Sequence, residues 1–220
     1  MSVFLPDGTK FYIGSTYSSP KTFTSISNAA EAVASFAADP SLAAGDVIEI
    51  TSGWEEINGN VYRVKAVAGA GPYLVTIEGL DTTDTARFAA GAGAGTVREV
   101  TAWTEITQVE SPNTSGGEMQ FLTYQTLAMS RERRIPTYRS AQGLKLTVFD
   151  DPALAWYATV QAASVASQTA FCGKAELKSG AKLFFSGYWS LQEVPTMESG
   201  QLMKADIDVA YFNTVVRYAS

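Results

Sequence analysis

The stretch TYQTLAMSRERRIPTYRSAQGLKLTVFDD, residues 123–151, carries most of the information about the fold. It overlaps two runs with the alternation and composition of β-strands, MQFLTYQTLAM (119–129) and GLKLTVFDD (143–151). Between them lies a basic connection that contains Arg131, Arg133, Arg134 and Arg139. The chain has a net charge of -6, so four arginines in one connection require an explanation. The sequence predicts a long, exposed basic loop between two strands.

A helix is predicted directly after the second of these strands. The run DPALAWYATVQAASVAS (151–167) has helical spacing of its apolar residues, and Pro152 suits the first helical position. Asp151 is predicted to cap the N-terminus of this helix. Asp150 and Asp151 could also be interpreted as a catalytic carboxylate pair, but adjacent acids at a strand–helix junction are better explained by capping. We therefore expect one α-helix flanking a β-structure.

The remaining chain has the pattern of a mainly β protein, with short alternating runs bounded by Gly, Pro, Asn and Ser. Residues 28–40 are ambiguous because their alanines favour a helix while their neighbours favour strands; we expect extended structure there. Asn58-Gly59 predicts a tight turn, and residues 110–118 predict another. The further predicted strands are 8–15, 22–27, 45–50, 55–67, 73–80, 101–109, 170–178, 181–194 and 202–219.

The last predicted strand has two distinct faces. Alternation places Met203, Ala205, Ile207 and Val209 on an apolar face and Lys204, Asp206 and Asp208 on a polar one. The apolar face is expected to pack on a core, and the polar face to meet water or a polar partner.

Small residues at 89–96, AAGAGAGT, predict a flexible hinge. This hinge would separate two domains. Residues 1–25 and 97–220 would form a β-sandwich, and residues 26–96 a small β-barrel inserted into it. GAGAGT is not followed by the Gly-Lys-Ser/Thr of a phosphate-binding loop.

Composition argues against catalysis and against membrane insertion. The chain of 220 residues contains no histidine, which removes the commonest general base and the commonest zinc ligand. Its single Cys172 lies in a strand-like run and is expected to be a buried apolar thiol. No apolar run is long enough to cross a membrane, the N-terminus lacks the pattern of a signal peptide, and positive charge is not clustered as in a nucleic-acid-binding protein. We expect a soluble non-enzymatic protein without a cofactor or metal.

Three segments resemble the major tail tube proteins of long-tailed, non-contractile bacteriophages. They are VREVTAWTEITQVESPNTSGGEMQFLTYQTL (97–127), the order strand, long loop, LKLTVFDDP, helix (144–166), and LFFSGYWSLQEVPTMESGQLMKADIDVAYFNTV (183–215). In addition, residues 42–85 are similar to small SH3-like barrels of phage head–tail and tail proteins.

The resemblance implies a virion subunit, made in the host cytoplasm, that forms hexameric rings stacked into a tube for viral DNA. It implies contacts with the tape measure, tail terminator and distal tail proteins, and DNA passage without sequence-specific binding. The arginine loop would then dock on another subunit through Arg131, Arg133, Arg134 and Arg139. Asp206 and Asp208 are candidates for the lining of the lumen.

Alternatives remain for each of these interpretations. The arginine run could be a solvated loop that protects a strand edge, or it could bind DNA phosphate. The two aspartates could simply be exposed to solvent. The protein as a whole could be a virion-associated β-sandwich that binds a ligand, as an adhesin does, and a glycosidase would need two separated acids that no spacing here singles out.

Overall fold

The structure is a computed structural model that describes residues 7–219, and the fold is mainly β, as the sequence predicts. Among these residues there are sixteen strands and one helix. In chain order the strands are β1 (Lys10–Tyr17), β2 (Lys21–Phe23), β3 (Ser25–Ile26), β4 (Val33–Phe36), β5 (Val47–Ser52), β6 (Asn60–Ala68), β7 (Tyr73–Ile77), β8 (Gly95–Ile106), β9 (Val109–Gly116), β10 (Met119–Tyr124), β11 (Arg133–Arg139), β12 (Gln142–Phe149), β13 (Phe171–Glu176), β14 (Lys182–Leu191), β15 (Lys204–Tyr211) and β16 (Val216–Tyr218). The helix, α1 (Ala155–Val165), lies between β12 and β13.

All strand pairings given for the described residues are antiparallel. The main sheet has the order β3-β4-β7-β6-β5-β8-β1-β13-β14-β15-β12-β9, with β2 added to β8 and β16 added to β14. β10 and β11 form a separate two-stranded sheet. Over residues 7–219 the pairings close no barrel, so the small closed barrel predicted for residues 26–96 is not observed, and the antiparallel sheets are consistent with a β-sandwich.

Buried side chains form two large cores and a smaller cluster between them. The first core gathers residues from β1, β8, β12 to β15 and α1. The second gathers residues between Phe23 and Val97. The third, which we call the junction cluster, contains Val61, Val100, Cys172, Phe184 and Tyr218, so Cys172 is buried as predicted. The division into domains 1–25 plus 97–220 and 26–96 stays a prediction.

Tyr218 in β16 belongs to the junction cluster, and its hydroxyl group bonds to β6 and to the residue that follows β7. The Tyr218 hydroxyl accepts a hydrogen bond from the Arg63 backbone N–H (3.0 Å) and donates one to the Glu78 carbonyl (3.0 Å). The Arg63 guanidinium also lies 4.6 Å from the Tyr218 ring centre and is paired with the Glu78 carboxylate. The predicted strand 202–219 is two strands, β15 and β16, which both pair with β14 and are separated by residues 212–215.

Helix α1 packs on the first core with Trp156, Val160 and Ala163 buried, at helical spacing. It begins later than the sequence predicts, at Ala155, and its N-cap position is Leu154, which makes no side-chain capping bond. Asp151 caps the preceding turn instead, because its Oδ1 accepts the Ala153 N–H (3.1 Å). The predicted helix cap at Asp151 is therefore displaced into the turn before α1.

Two segments differ from their predictions because tertiary contacts outweigh local composition. Residues 110–118, predicted as a turn, lie mostly in β9, an edge strand on β12, where Pro112 is tolerated. Residues 89–96, predicted as a hinge, are packed: the Trp54 Nε1–H donates to the Ala89 carbonyl (2.8 Å), and a Cβ on Gly95 would lie 1.9 Å from the Thr51 oxygen. The small residues there permit close backbone approach.

Other predictions are confirmed in part. Residues 28–40 are extended where they are regular, in β4. Gly59 has a positive φ of 73° but Asn58 does not, and the two residues end a connection that spans 53–59, so predicted strand 55–67 begins only at Asn60. In β15 the side chains of Ala205, Ile207 and Val209 are buried, whereas Met203 precedes the strand and is exposed, contrary to its predicted place on the apolar face.

Candidate assembly surface

A long β-hairpin extends from the sandwich. β9 pairs with β12 at its base, and β10 pairs with β11 beyond it. Two hydrogen bonds join the β9–β12 pair to the β10–β11 pair. The Glu118 N–H donates to Ser140 Oγ (3.0 Å), and the Ser140 N–H donates to the Glu118 carbonyl (2.9 Å). We call residues 117–141 the distal arm.

Two glycines bring the strands together where the distal arm begins. Gly116 and Gly117 have positive φ angles of 74° and 79°. A Cβ on Gly116 would lie 1.8 Å from the Ala141 carbonyl oxygen, so a larger residue would push the strands apart. The glycines therefore determine how the distal arm leaves the sandwich.

Both faces of the distal arm carry exposed apolar side chains. Leu122 opposes Ile135 on one face, and Phe121 opposes Pro136 on the other. Leu127 in the turn is fully exposed. A two-stranded hairpin without a covering layer is marginally stable in water, and exposed apolar patches of this kind mark interaction surfaces. The exposed large apolar residues of the distal arm are Met119, Phe121, Leu122, Leu127, Ile135 and Tyr138.

The four predicted arginines all lie on the distal arm. Arg133, Arg134 and Arg139 are in β11, and Arg131 is in the turn before it, so the predicted basic loop is in large part a strand. The Arg134 guanidinium lies 5.3 Å from the Phe121 ring centre, and Arg139 donates to the Gly117 carbonyl (3.4 Å). Within residues 7–219 none of the four arginines forms an ion pair.

Charge is distributed unequally between the distal arm and the rest of the chain. The distal arm holds four arginines and two glutamates, a net charge of +2, while the whole chain has -6. The remainder therefore has -8, since -6 minus +2 is -8. A positive arm on a negative body is electrostatically suited to contact another copy of the same chain.

The two predicted aspartates lie on the polar face of β15 but in different environments. Asp206 accepts hydrogen bonds from Thr147 Oγ1 (2.8 Å) and is ion-paired with Lys145 (2.8 Å). Burial acts to raise the pKa of Asp206, but the bonds from Lys145 and Thr147 outweigh it, and the pKa is lowered. Asp208 is exposed and lies opposite Lys145 and Ser190 in the sheet.

A buried polar group at the junction cluster was not predicted from the sequence. Glu49 of β5 is only 7% exposed and forms an ion pair with Arg98 of β8. The Arg98 guanidinium lies 4.3 Å from the Tyr17 ring centre, and the Tyr17 hydroxyl accepts the Cys172 N–H (2.9 Å). These residues are far apart in sequence, and only the strand pairing brings them together. Burial raises the pKa of the Cys172 thiol, so Cys172 is an unreactive packing residue.

The fold is mainly β, and its exposed hairpin has the two-sided apolar character of an interaction surface. A family model described as phage tail tube protein matches residues 52–220, which are 169 of the 220 residues. The chain belongs to this family, whose members are structural components of the virion tail and not enzymes. No curated protein matches the chain. Across residues 7–219 no helix has the length and apolar character required to cross a membrane.

Proposed function

We propose that this protein forms hexameric rings that stack into the tail tube, and that viral DNA passes through the lumen of this tube. Membership of the tail tube family supports the tube, and the two-sided distal arm is the observation that supports self-assembly. Apolar side chains on both faces of an unpacked ribbon require two covering surfaces. Neighbouring copies of the chain supply such surfaces.

The arginines of the distal arm have a defined part in this proposal. Arg131, Arg133, Arg134 and Arg139 would pair with carboxylates of an adjacent subunit, because guanidinium groups bind carboxylates with two hydrogen bonds. The body of the chain, with its charge of -8, provides many such carboxylates. The apolar residues would supply the buried area, and the arginines would select the correct partner.

We further propose that Asp206 and Asp208 line the lumen. The polar face of β15 carries both residues, and Lys145 offsets part of their charge. A mildly negative wall would let DNA pass without gripping its phosphates.

The other proposed protein partners follow from the position of a tube within the phage tail. The tube would end on tail terminator and distal tail proteins and would enclose a tape measure protein during assembly. Synthesis in the host cytoplasm and DNA passage without sequence-specific binding belong to the same proposal.

The proposal is tested by removing the positive charge of the distal arm. Arg131, Arg133 and Arg134, changed together to Ala, should leave a folded protein that sediments as the smallest species at concentrations where the wild type forms polymers. The matched control changes Lys21, Lys65 and Arg87, three cations between residues 21 and 87, to Ala and should polymerise as the wild type does. Unchanged polymers of the arm variant would contradict a docking role for the arginines, and a wild type that forms only small particles of fixed size would favour a binding module.

A further inference from the structure

The segment that follows β15 runs between the two large cores. After β15 ends at Tyr211, residues 212–218 form a short connection and then β16, which pairs with β14. Consecutive residues of this segment face different cores: Val215 packs against the first core, and Val216 packs against the second core and the junction cluster. We call residues 212–218 the strap.

The first two residues of the strap contact the connection between β5 and β6, in the second core. The Asn213 side-chain amide donates to three backbone carbonyls within residues 55–58 (3.2 to 3.3 Å). The Phe212 ring lies on Gly59, where an added Cβ would be 2.4 Å from a ring carbon, so only glycine leaves room for the ring. The end of the β5–β6 connection is therefore a surface on which the strap rests.

The other end of the strap makes a second attachment to the second core. The Tyr218 hydroxyl bridges the Arg63 N–H and the Glu78 carbonyl, at 3.0 Å from each. The Tyr218 ring also contacts the Phe184 ring of β14, with 5.7 Å between the ring centres. The strap is therefore attached to the second core at both of its ends and to β14 along β16.

β8 is the other main connection between the two cores, and its surroundings permit bending. This strand buries Val97 in the second core and Ile106 in the first core. Between these two positions the β1–β8 ladder is irregular, with register shifts between residues 14 and 17 of β1. Irregularities of this kind bend and twist a strand pair, so a second attachment is required to fix the orientation of one core on the other.

The first half of the strap can separate from the second core without unfolding either core. Its contacts there are hydrogen bonds to backbone carbonyls and one ring on a glycine, and Phe212 is 43% exposed. On its other side, a cavity of about 720 Å³ lies between the strap and residues 139–142. Segments with few buried apolar contacts open locally at a small cost in free energy.

We propose that the strap is a latch that holds the second core in one orientation on the first, and that its release lets the second core turn about β8. With the strap in place, the two cores move as one rigid body. After its release, the second core keeps its own strands and hydrogen bonds, but its orientation varies. The latch acts within one copy of the chain, so it sets the geometry of the subunit before any contact with other copies.

Two matched double variants test the latch. Asn213→Ala with Tyr218→Phe removes the hydrogen bonds at both ends of the strap and keeps its aromatic rings. The control, Asn28→Ala with Tyr62→Phe, removes the same chemical groups inside the second core. There the Asn28 amide donates to two backbone carbonyls (2.9 Å), and the Tyr62 hydroxyl accepts from the Asn60 amide (3.1 Å).

The distance between two spin labels measures the orientation of the cores in the unassembled protein. The labels are attached to Thr83→Cys, an exposed position between two buried residues of the second core, and to Gln161→Cys, an exposed position on α1. The native Cys172 is buried, so it does not take up a label. Electron–electron double resonance then gives the distribution of distances between the two labels.

The labelled wild-type sequence and the control should each give one narrow distribution, and the strap variant should give a distribution about twice as broad. A strap variant as narrow as the wild type would overturn the proposal. A control as broad as the strap variant would also overturn it, because the broadening would then reflect a general loss of stability. If circular dichroism shows that the double strap variant does not fold, Asn213→Ala alone takes its place with the same expectation.

Discussion

The buried pair between Glu49 and Arg98 is a residue-scale feature with a large expected energetic effect. Both residues lie in paired strands, β5 and β8, beside the junction cluster. The ion pair compensates for the burial of Glu49, and the stacking of Arg98 on Tyr17 contributes further. A buried charge that loses its partner is costly, because water cannot replace the lost interaction.

Replacement of Arg98 by Met should therefore destabilise the folded protein by about 3 kcal/mol, since it leaves the Glu49 carboxylate without a partner. Urea unfolding of the unassembled protein measures this free energy. Arg87→Met is the matched control, because Arg87 pairs with Glu56 at the surface, and it should lower the free energy of unfolding far less than Arg98→Met does. Equal effects of the two changes would contradict the assigned role of the buried pair.

Asp206 should make stability depend on pH in a predictable direction. Its pKa is lowered in the folded protein, so the ionised form is favoured by folding, and its contribution is present above the unfolded pKa of about 4. This contribution is lost as the pH falls through the lower folded pKa. Asp206→Asn should be less stable than the wild type at pH 7, and the difference should shrink as the pH falls below about 4, measured by urea unfolding at several pH values.

The control for this measurement is Asp208→Asn. Asp208 lies two residues further along the same strand face, but it is exposed and forms no ion pair in the part of the chain that the structure describes. Its substitution should change the free energy of unfolding little at either pH. A loss at pH 7 as large as that of Asp206→Asn would show that the difference does not come from the bonds to Lys145 and Thr147.

At the scale of elements, the distal arm and the polar face of β15 carry the proposed function. The distal arm has no covering layer on either side, whereas β15 buries one face in the first core and presents the other. A tube wall requires such elements, because an exposed strand edge or ribbon is protected only when a neighbour covers it. The accessibility of the distal arm and of the polar face of β15 in an assembled tube is therefore the property to measure.

The position of the β15 face can be measured by chemical labelling. Asp208→Cys should react with a small maleimide in assembled tubes but not with a maleimide on a bulky polymer, because the lumen admits only the small reagent along its length. Thr83→Cys, within the predicted inserted domain, should react with both reagents. Fast reaction of the Asp208→Cys tubes with the bulky reagent would place β15 on the outer surface.

Elements with a strong local pattern could be predicted from the sequence, and elements that depend on their neighbours could not. The alternation in β15 and the spacing and start signals of residues 151–167 were sufficient to predict a strand and α1. β9 was missed because its Ser, Pro and Asn residues favour turns, and only pairing with β12 makes it a strand. The small residues of 89–96 indicated flexibility because the sequence does not reveal the backbone that packs against them.

The same limit applies to the candidate site. The arginines of the distal arm could be identified because four cations in an acidic chain are conspicuous. The apolar residues around them were missed as a group, although Phe121, Leu122 and Ile135 were visible in the sequence. A strand with apolar residues on both faces normally predicts burial, and only the structure reveals that this ribbon has no core beneath it.

At the scale of the whole molecule, two cores joined by the junction cluster form a body from which the distal arm extends. Tyr218 connects the C-terminal strand to β6 and β7, and the Glu49–Arg98 pair connects β5 to β8. Such a body can hold the base of the distal arm in a fixed position.

Negative-stain electron microscopy of the purified protein over a concentration series shows whether the chain forms a tube. We expect six-fold rings at low concentration and hollow tubes with a regular axial repeat at high concentration, with light scattering of the same samples rising in parallel. Compact particles of one small size at every concentration would contradict the proposed tube.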